Sequence, residues 1–69
     1  MDQISIGKTI KERRKFLRID QLSFCDIAEL SQHTLSSIEN GTGNPSLSML
    51  IKVLDVLGME LKIDIKRAD

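Results

Sequence analysis

The close spacing of helix-start and helix-stop signals constrains this chain more than any other feature. Asp20, Ser31 and Ser46 each stand where an N-cap belongs, ahead of a short periodic segment, and Gly41 and Gly58 stand where a helix should end. Ile6, Ile10 and Leu17 share one helical face and predict a first helix over about 5–17, capped by Ser5 or Asp2. A second helix is expected over about 21–28, where Phe24 and Ala28 supply apolar contacts, and a third over about 32–40. Thr42-Gly43-Asn44-Pro45 is loop chemistry, because glycine accepts positive φ and the residue before proline avoids helix. A fourth helix then spans about 46–57. Short helices of this kind can bury their apolar faces only against one another.

A single domain over residues 1–69 is the expectation, since a chain of 69 residues buries only about 60% of its unfolded surface. Cys25 has no cysteine to pair with, and Cys25 plus His33 fall short of the four ligands of a structural zinc. No metal and no cofactor are expected. Cys25 reads as a small packed side chain rather than a reactive thiol. No apolar run is long enough to span a bilayer, and Met1 to Ser5 lack the pattern of a secretion signal, so no membrane partner and a cytoplasmic location are expected.

The remaining device for stabilising so small a domain is a partner chain. Two features point to a second copy. Leu47, Leu50, Ile51, Leu54 and Leu57 make one core stripe on the fourth helix, while Met49, Val53 and Val56 make a second apolar row. After Gly58, residues 59–66 alternate apolar and charged side chains, the period of a strand, with no partner strand elsewhere in the chain. The expected fold is therefore mostly α, four helices with a C-terminal strand pairing across a homodimer. Leu61, Ile63 and Ile65 of that strand would cover Met49, Val53 and Val56 at a two-fold axis.

The second and third helices, joined by so short a break, form a helix-turn-helix candidate. Residues 20–41 resemble the helix-turn-helix of the Xre (Cro/phage-repressor) family at Gln21, Phe24, Cys25, Leu30, Ser31, Leu35, Ser36, Ile38, Glu39 and Gly41, followed by Asn44-Pro45-Ser46-Leu47. The resemblance covers about residues 6–58 and implies a four-helix, repressor-like, DNA-binding domain. Arg18 and Glu29 stand where that pattern has glycine, and Asp20 and Thr42 depart from it in the direction of less positive charge. The tail resembles the HipB-type subgroup, which implies an antitoxin that represses its own operon and binds a HipA-type kinase toxin.

The third helix can also be read on its own. Leu35 and Ile38 define its buried direction, and His33, Ser36, Ser37 and Asn40 lie opposite, with Gln32 at the N-terminal end. A helix fits the major groove, amides pair with adenine, and serine is permissive. Gln32, His33, Ser36 and Ser37 are thus the candidate base readers. Gln21, at the positive end of the second helix, is a candidate phosphate contact together with Thr34, Asn40 and Thr42. Glu39 falls towards the buried side and needs a partner, which the family resemblance identifies as Arg14.

Net charge is zero, and residues 21–51 contain no Lys or Arg. The basic cluster Lys8, Lys11, Arg13, Arg14, Lys15 and Arg18 reads as a solvated helix face unless the fold turns it to a ligand. The leading expectation is a homodimeric repressor on double-stranded DNA. The alternatives are a stand-alone Xre-type regulator or a protein-interaction module that has lost DNA binding. No constellation of acid, base and nucleophile suggests an enzyme.

Overall fold

Short polar side chains start every helix of the chain. In a computed structural model, which describes residues 1–67, α1 (Gln3–Phe16) is capped by Asp2, α2 (Gln21–Ala28) by Asp20, α3 (Gln32–Asn40) by Ser31 and α4 (Leu47–Val56) by Ser46. The last two positions of the expected domain lie outside the described residues. Each cap accepts a hydrogen bond from the backbone N–H three residues on: Ser5 at 2.7 Å, Ser23 at 2.8 Å, Thr34 at 3.1 Å and Met49 at 3.1 Å. Of the two candidate caps for α1, Asp2 is the one used, which starts the helix earlier than Ser5 would.

The four helices also end alike. A left-handed residue follows each of them: Arg18 (φ 60°), Glu29 (φ 56°), Gly41 (φ 72°) and Gly58 (φ 68°). The N–H one residue later reaches back to the carbonyl five positions earlier: Ile19 to Arg14, Leu30 to Cys25, Thr42 to Ser37 and Met59 to Leu54, all at 2.9–3.1 Å. Ile19, Leu30 and Met59 are half-buried against the core, the hydrophobic contact that accompanies this ending.

Ile10 of α1, Phe24, Cys25 and Ala28 of α2, Leu35 and Ile38 of α3, and Val53 and Leu54 of α4 with Leu57 fill the core. Helix α1 lies directly on the C-terminal end of α3. A Cβ at Gly7 would overlap the carbonyl oxygen of Ile38, so only glycine permits that approach.

Two expectations about the C-terminal third are corrected. Val53 is 0% exposed, and Met49 and Val56 are half-buried against the same core, so this row belongs to the subunit's own interior. Val53 is therefore not available to a second copy. The exposed apolar residues of α4 are instead Leu47 (62%) and Ile51 (43%), which were expected inside. The physical reason is that α4 is apolar over most of its circumference, so Leu54 and Leu57 of one row and Val53 of the other all reach the core, and the other three helices decide which members stay outside. The second correction is the strand. Among the described residues there is none, because a ladder needs a neighbouring strand and the single chain has none to offer. Leu61, Ile63 and Ile65 are exposed.

Glu29 and Arg18 carry side chains at backbone angles that favour glycine. Glu29→Gly and Arg18→Gly should each raise unfolding stability by about 0.5–1 kcal/mol, the relief of left-handed strain less the added freedom of the unfolded glycine. Urea midpoints read this directly, and an unchanged or lowered midpoint would contradict it.

Candidate nucleic-acid interface

The polar surface of the chain converges on α3. Because Leu35 and Ile38 turn inward, Gln32, His33 and Asn40 are exposed and Ser36 and Ser37 half-buried on the outer side. None of these side chains carries a carboxylate, so this face does not repel phosphate.

Behind it sits a buried ion pair. Arg14 donates from Nε to Glu39 Oε2 at 2.6 Å and from Nη2 to Oε1 at 3.0 Å, a bidentate pair joining α1 to α3. Its Nη1 donates to the Ile19 carbonyl at 2.8 Å, which ties the same guanidinium to the loop before α2. Hydrogen bonding to Glu39 raises the Arg14 pKa above the ordinary arginine value, so the cation persists although buried. Among the described residues no buried side-chain N or O lacks a partner.

Gln21 connects that pair to the surface. Its Nε2 donates to Glu39 Oε1 at 3.1 Å and, at 3.4 Å, to Ser36 Oγ, while its Oε1 accepts from Gln32 Nε2 at 3.2 Å. The structure thus brings together Gln21, Gln32 and Ser36. Two were read as base contacts and one as a phosphate contact, and here they form one network running from core to solvent. At the positive end of α2, the Asp20 carboxylate accepts from the Ser23 N–H, which holds its pKa below the usual carboxylate range. A negative charge therefore already sits where a phosphate would be drawn.

A second group lies on the other flank. His33, Ser37, Thr42, Gly43 and Asn44 line a groove of about 340 Å³ between α3 and the loop leading to α4. Thr42 is exposed, and its Oγ1 donates to the Ser37 carbonyl at 3.3 Å. Thr34 is half-buried, and its Oγ1 accepts from Ser31 Oγ at 2.8 Å, so it acts locally at the helix start. Gly43 and Asn44 were read only as turn residues. Nothing in their identities distinguishes a turn from a groove wall.

The basic cluster of α1 is partly spent inside the fold. Arg14 is buried, and Arg13 donates from Nε to the Leu57 carbonyl at 3.0 Å while its guanidinium lies 5.5 Å from the Phe16 ring centre. Cys25 is buried, which pushes its thiol pKa up and keeps it protonated. No helix among the described residues is long and apolar enough to cross a membrane.

Comparison with known proteins agrees with this geometry. The family model described as Helix-turn-helix matches residues 10–63. The immunity repressor protein of Bacillus phage phi105 is 36% identical over 58 residues, which cover 84% of this chain and 40% of that protein, so the chain spans well under half of its length. A structure of SinR, a master regulator for biofilm formation, in complex with DNA is 38% identical, with a TM-score of 0.71 over 80% of this chain and 89% of that one. The restriction-modification controller protein C.AhdI from Aeromonas hydrophila, at 22% identity, shares the fold with a TM-score of 0.78 over 84% of this chain and 88% of its own.

Arg14→Ala should destabilise the chain by about 3–5 kcal/mol, because it strands the Glu39 carboxylate in the core. Chemical denaturation measures the loss; a change of a few tenths of a kcal/mol would mean that water reaches Glu39.

Proposed function

The chain belongs to the helix-turn-helix family, and from that premise we propose that it is a sequence-specific DNA-binding repressor that acts as a homodimer. The observation that carries the reading is the uncharged outer face of α3, held by the Arg14–Glu39 pair through Gln21. SinR, which shares more than a third of the aligned residues, is known bound to DNA. In this reading Gln32, His33, Ser36 and Ser37 approach base edges in the major groove. Asn40 and Thr42 contact phosphates that fix register, whereas Gln21, expected as a further phosphate contact, holds Glu39 and Gln32 instead. Thr34 supports the start of α3 beside them.

A second copy supplies the other half-site. Leu47 and Ile51 on α4 line one open apolar surface with Leu61 and Ile63 of the tail, and Ile65 beyond them is exposed as well. Antiparallel pairing of residues 59–66 with the same segment of a second copy would satisfy their backbone groups and cover that surface. The antitoxin version, with a HipA-type kinase as a further partner, draws only on the alternation of the tail, and the proposal stops at a repressor.

Selection of bound duplexes from a random DNA pool tests the function. The expected product is a palindrome whose half-sites lie about 34 Å apart, one turn of the double helix. Gln32→Ala should relax preference at one position per half-site, costing about 1–3 kcal/mol of discrimination there. A pool that yields no enriched sequence would refute the reading.

The paired variant Ile51→Asp with Ile63→Asp should be a folded monomer at micromolar concentration where the parent sediments as a dimer. A parent that is already monomeric would end the dimer proposal and leave single-site binding to be measured.

A further inference from the structure

The first turn of α1 grips the loop that follows α3. Gln3 donates from Nε2 to the carbonyl oxygens of Thr42 at 3.2 Å and Gly43 at 2.7 Å. A Cβ on Gly41 would come within 2.6 Å of the Ile4 Cα, so α1 meets the end of α3 backbone to backbone immediately beside this contact. The close approach at Gly7, one turn further along, fixes the same docking. Gln3 is thereby held at a set distance from the loop.

A trans peptide carries its N–H on the side opposite its C=O. With the carbonyls of Thr42 and Gly43 turned to Gln3, the N–H groups that share those peptides, on Gly43 and Asn44, face away from α1. Neither donates to a protein acceptor among the described residues. Both residues line the groove beside His33 and Ser37. Successive amide donors around a left-handed glycine, here Gly43 at φ 74°, make a concavity suited to an anionic oxygen.

We propose that Gln3 is a positioning residue for DNA binding, which sets the Gly43 and Asn44 amides to receive a backbone phosphate. Gln3 precedes the segment that the family model matches, so family membership does not supply this role. The inference rests on the DNA reading above. It adds a phosphate contact made by main-chain donors, in a region where residues 21–51 contain no Lys or Arg.

Gln3→Met keeps the length of the side chain and removes both donors. Anisotropy titrations of the full chain should use the selected duplex and a scrambled duplex of equal length. The variant should bind both about three- to tenfold more weakly, the worth of one hydrogen-bonded contact. Base preference should be unchanged, and the dependence on salt should keep its slope because no cation is lost. Helical circular dichroism and the thermal midpoint should match the parent, since the bond is exposed. Gln3→Glu should lose more, because a carboxylate neither donates to the carbonyls nor tolerates a phosphate nearby.

Binding of both duplexes by Gln3→Met within about twofold of the parent would overturn the proposal. A loss confined to the selected duplex would overturn it too, by placing Gln3 in base reading. A lowered thermal midpoint would do the same, by making Gln3 a general support of helix docking. If the parent enriches no duplex from the random pool, the DNA reading falls and takes this inference with it. That outcome is seen before any variant is made, so the two failures are distinct.

Discussion

Neither Arg14 nor Glu39 is affordable in this core without the other. An isolated buried charge costs several kcal/mol, more than any single apolar contact here returns. Bidentate geometry, together with the Ile19 carbonyl and the Gln21 amide, satisfies the hydrogen-bonding groups that pairing alone would leave open. The consequence reaches beyond cohesion. A bidentate pair admits one arrangement, and Gln21 transmits that arrangement to Gln32 at the surface. The polar face of α3 is thus set from inside.

Most of the helical plan is readable from the caps. Asp20, Ser31 and Ser46 have side chains that accept from the third N–H onward, and that property is local, so no tertiary information is needed to place α2, α3 and α4. The departures from glycine at Arg18 and Glu29 were equally legible, since the turn must exist whatever residue fills it. What could not be read was a choice between near-equals. On α4 the rows Leu47–Ile51 and Met49–Val53–Val56 are similar in apolar character. Only the positions of α1, α2 and α3 make Val53 an interior residue and leave Ile51 outside. The single chain forms no strand for a related reason: alternation in residues 59–66 describes side-chain chemistry, whereas a strand is a relation between two chains of hydrogen-bonding groups. Of the candidate site, the polar face of α3 and the Arg14–Glu39 pair were legible. The inward-facing amide of Gln21 was not, because glutamine at a helix start suits a phosphate and a buried carboxylate equally well.

The C-terminal third and the interface also answer each other. The residues around Leu47 and Ile51 share no member with those lining the groove formed by His33, Ser37 and Asn44, although Ser46 and Leu47 bring the two sets together along the chain. In the proposed dimer a second copy would dock on the first set and leave the second to DNA. That separation is a geometric requirement of any protein that must present two reading heads at once.

Charge sets the character of the recognition. Arg13 and Arg14 are committed to carbonyl and carboxylate groups within the fold, and α2 with its flanking residues presents Asp20, Asp26 and Glu29 to solvent. If α3 meets DNA as proposed, a surface built this way gains little from releasing counterions, which is the sequence-independent part of affinity. What it keeps is the part that depends on fitted donors and acceptors: amides, hydroxyls and main-chain N–H groups, each effective only at hydrogen-bond distance. In the proposed reading such a surface would hold arbitrary DNA weakly and would depend on the helix being correctly oriented before contact. The buried Arg14–Glu39 pair supplies that orientation by joining α1 to α3. The low positive charge and the rigid mounting of α3 are then two aspects of one physical solution, since a protein that forgoes electrostatic attraction cannot also tolerate a loosely held reading helix.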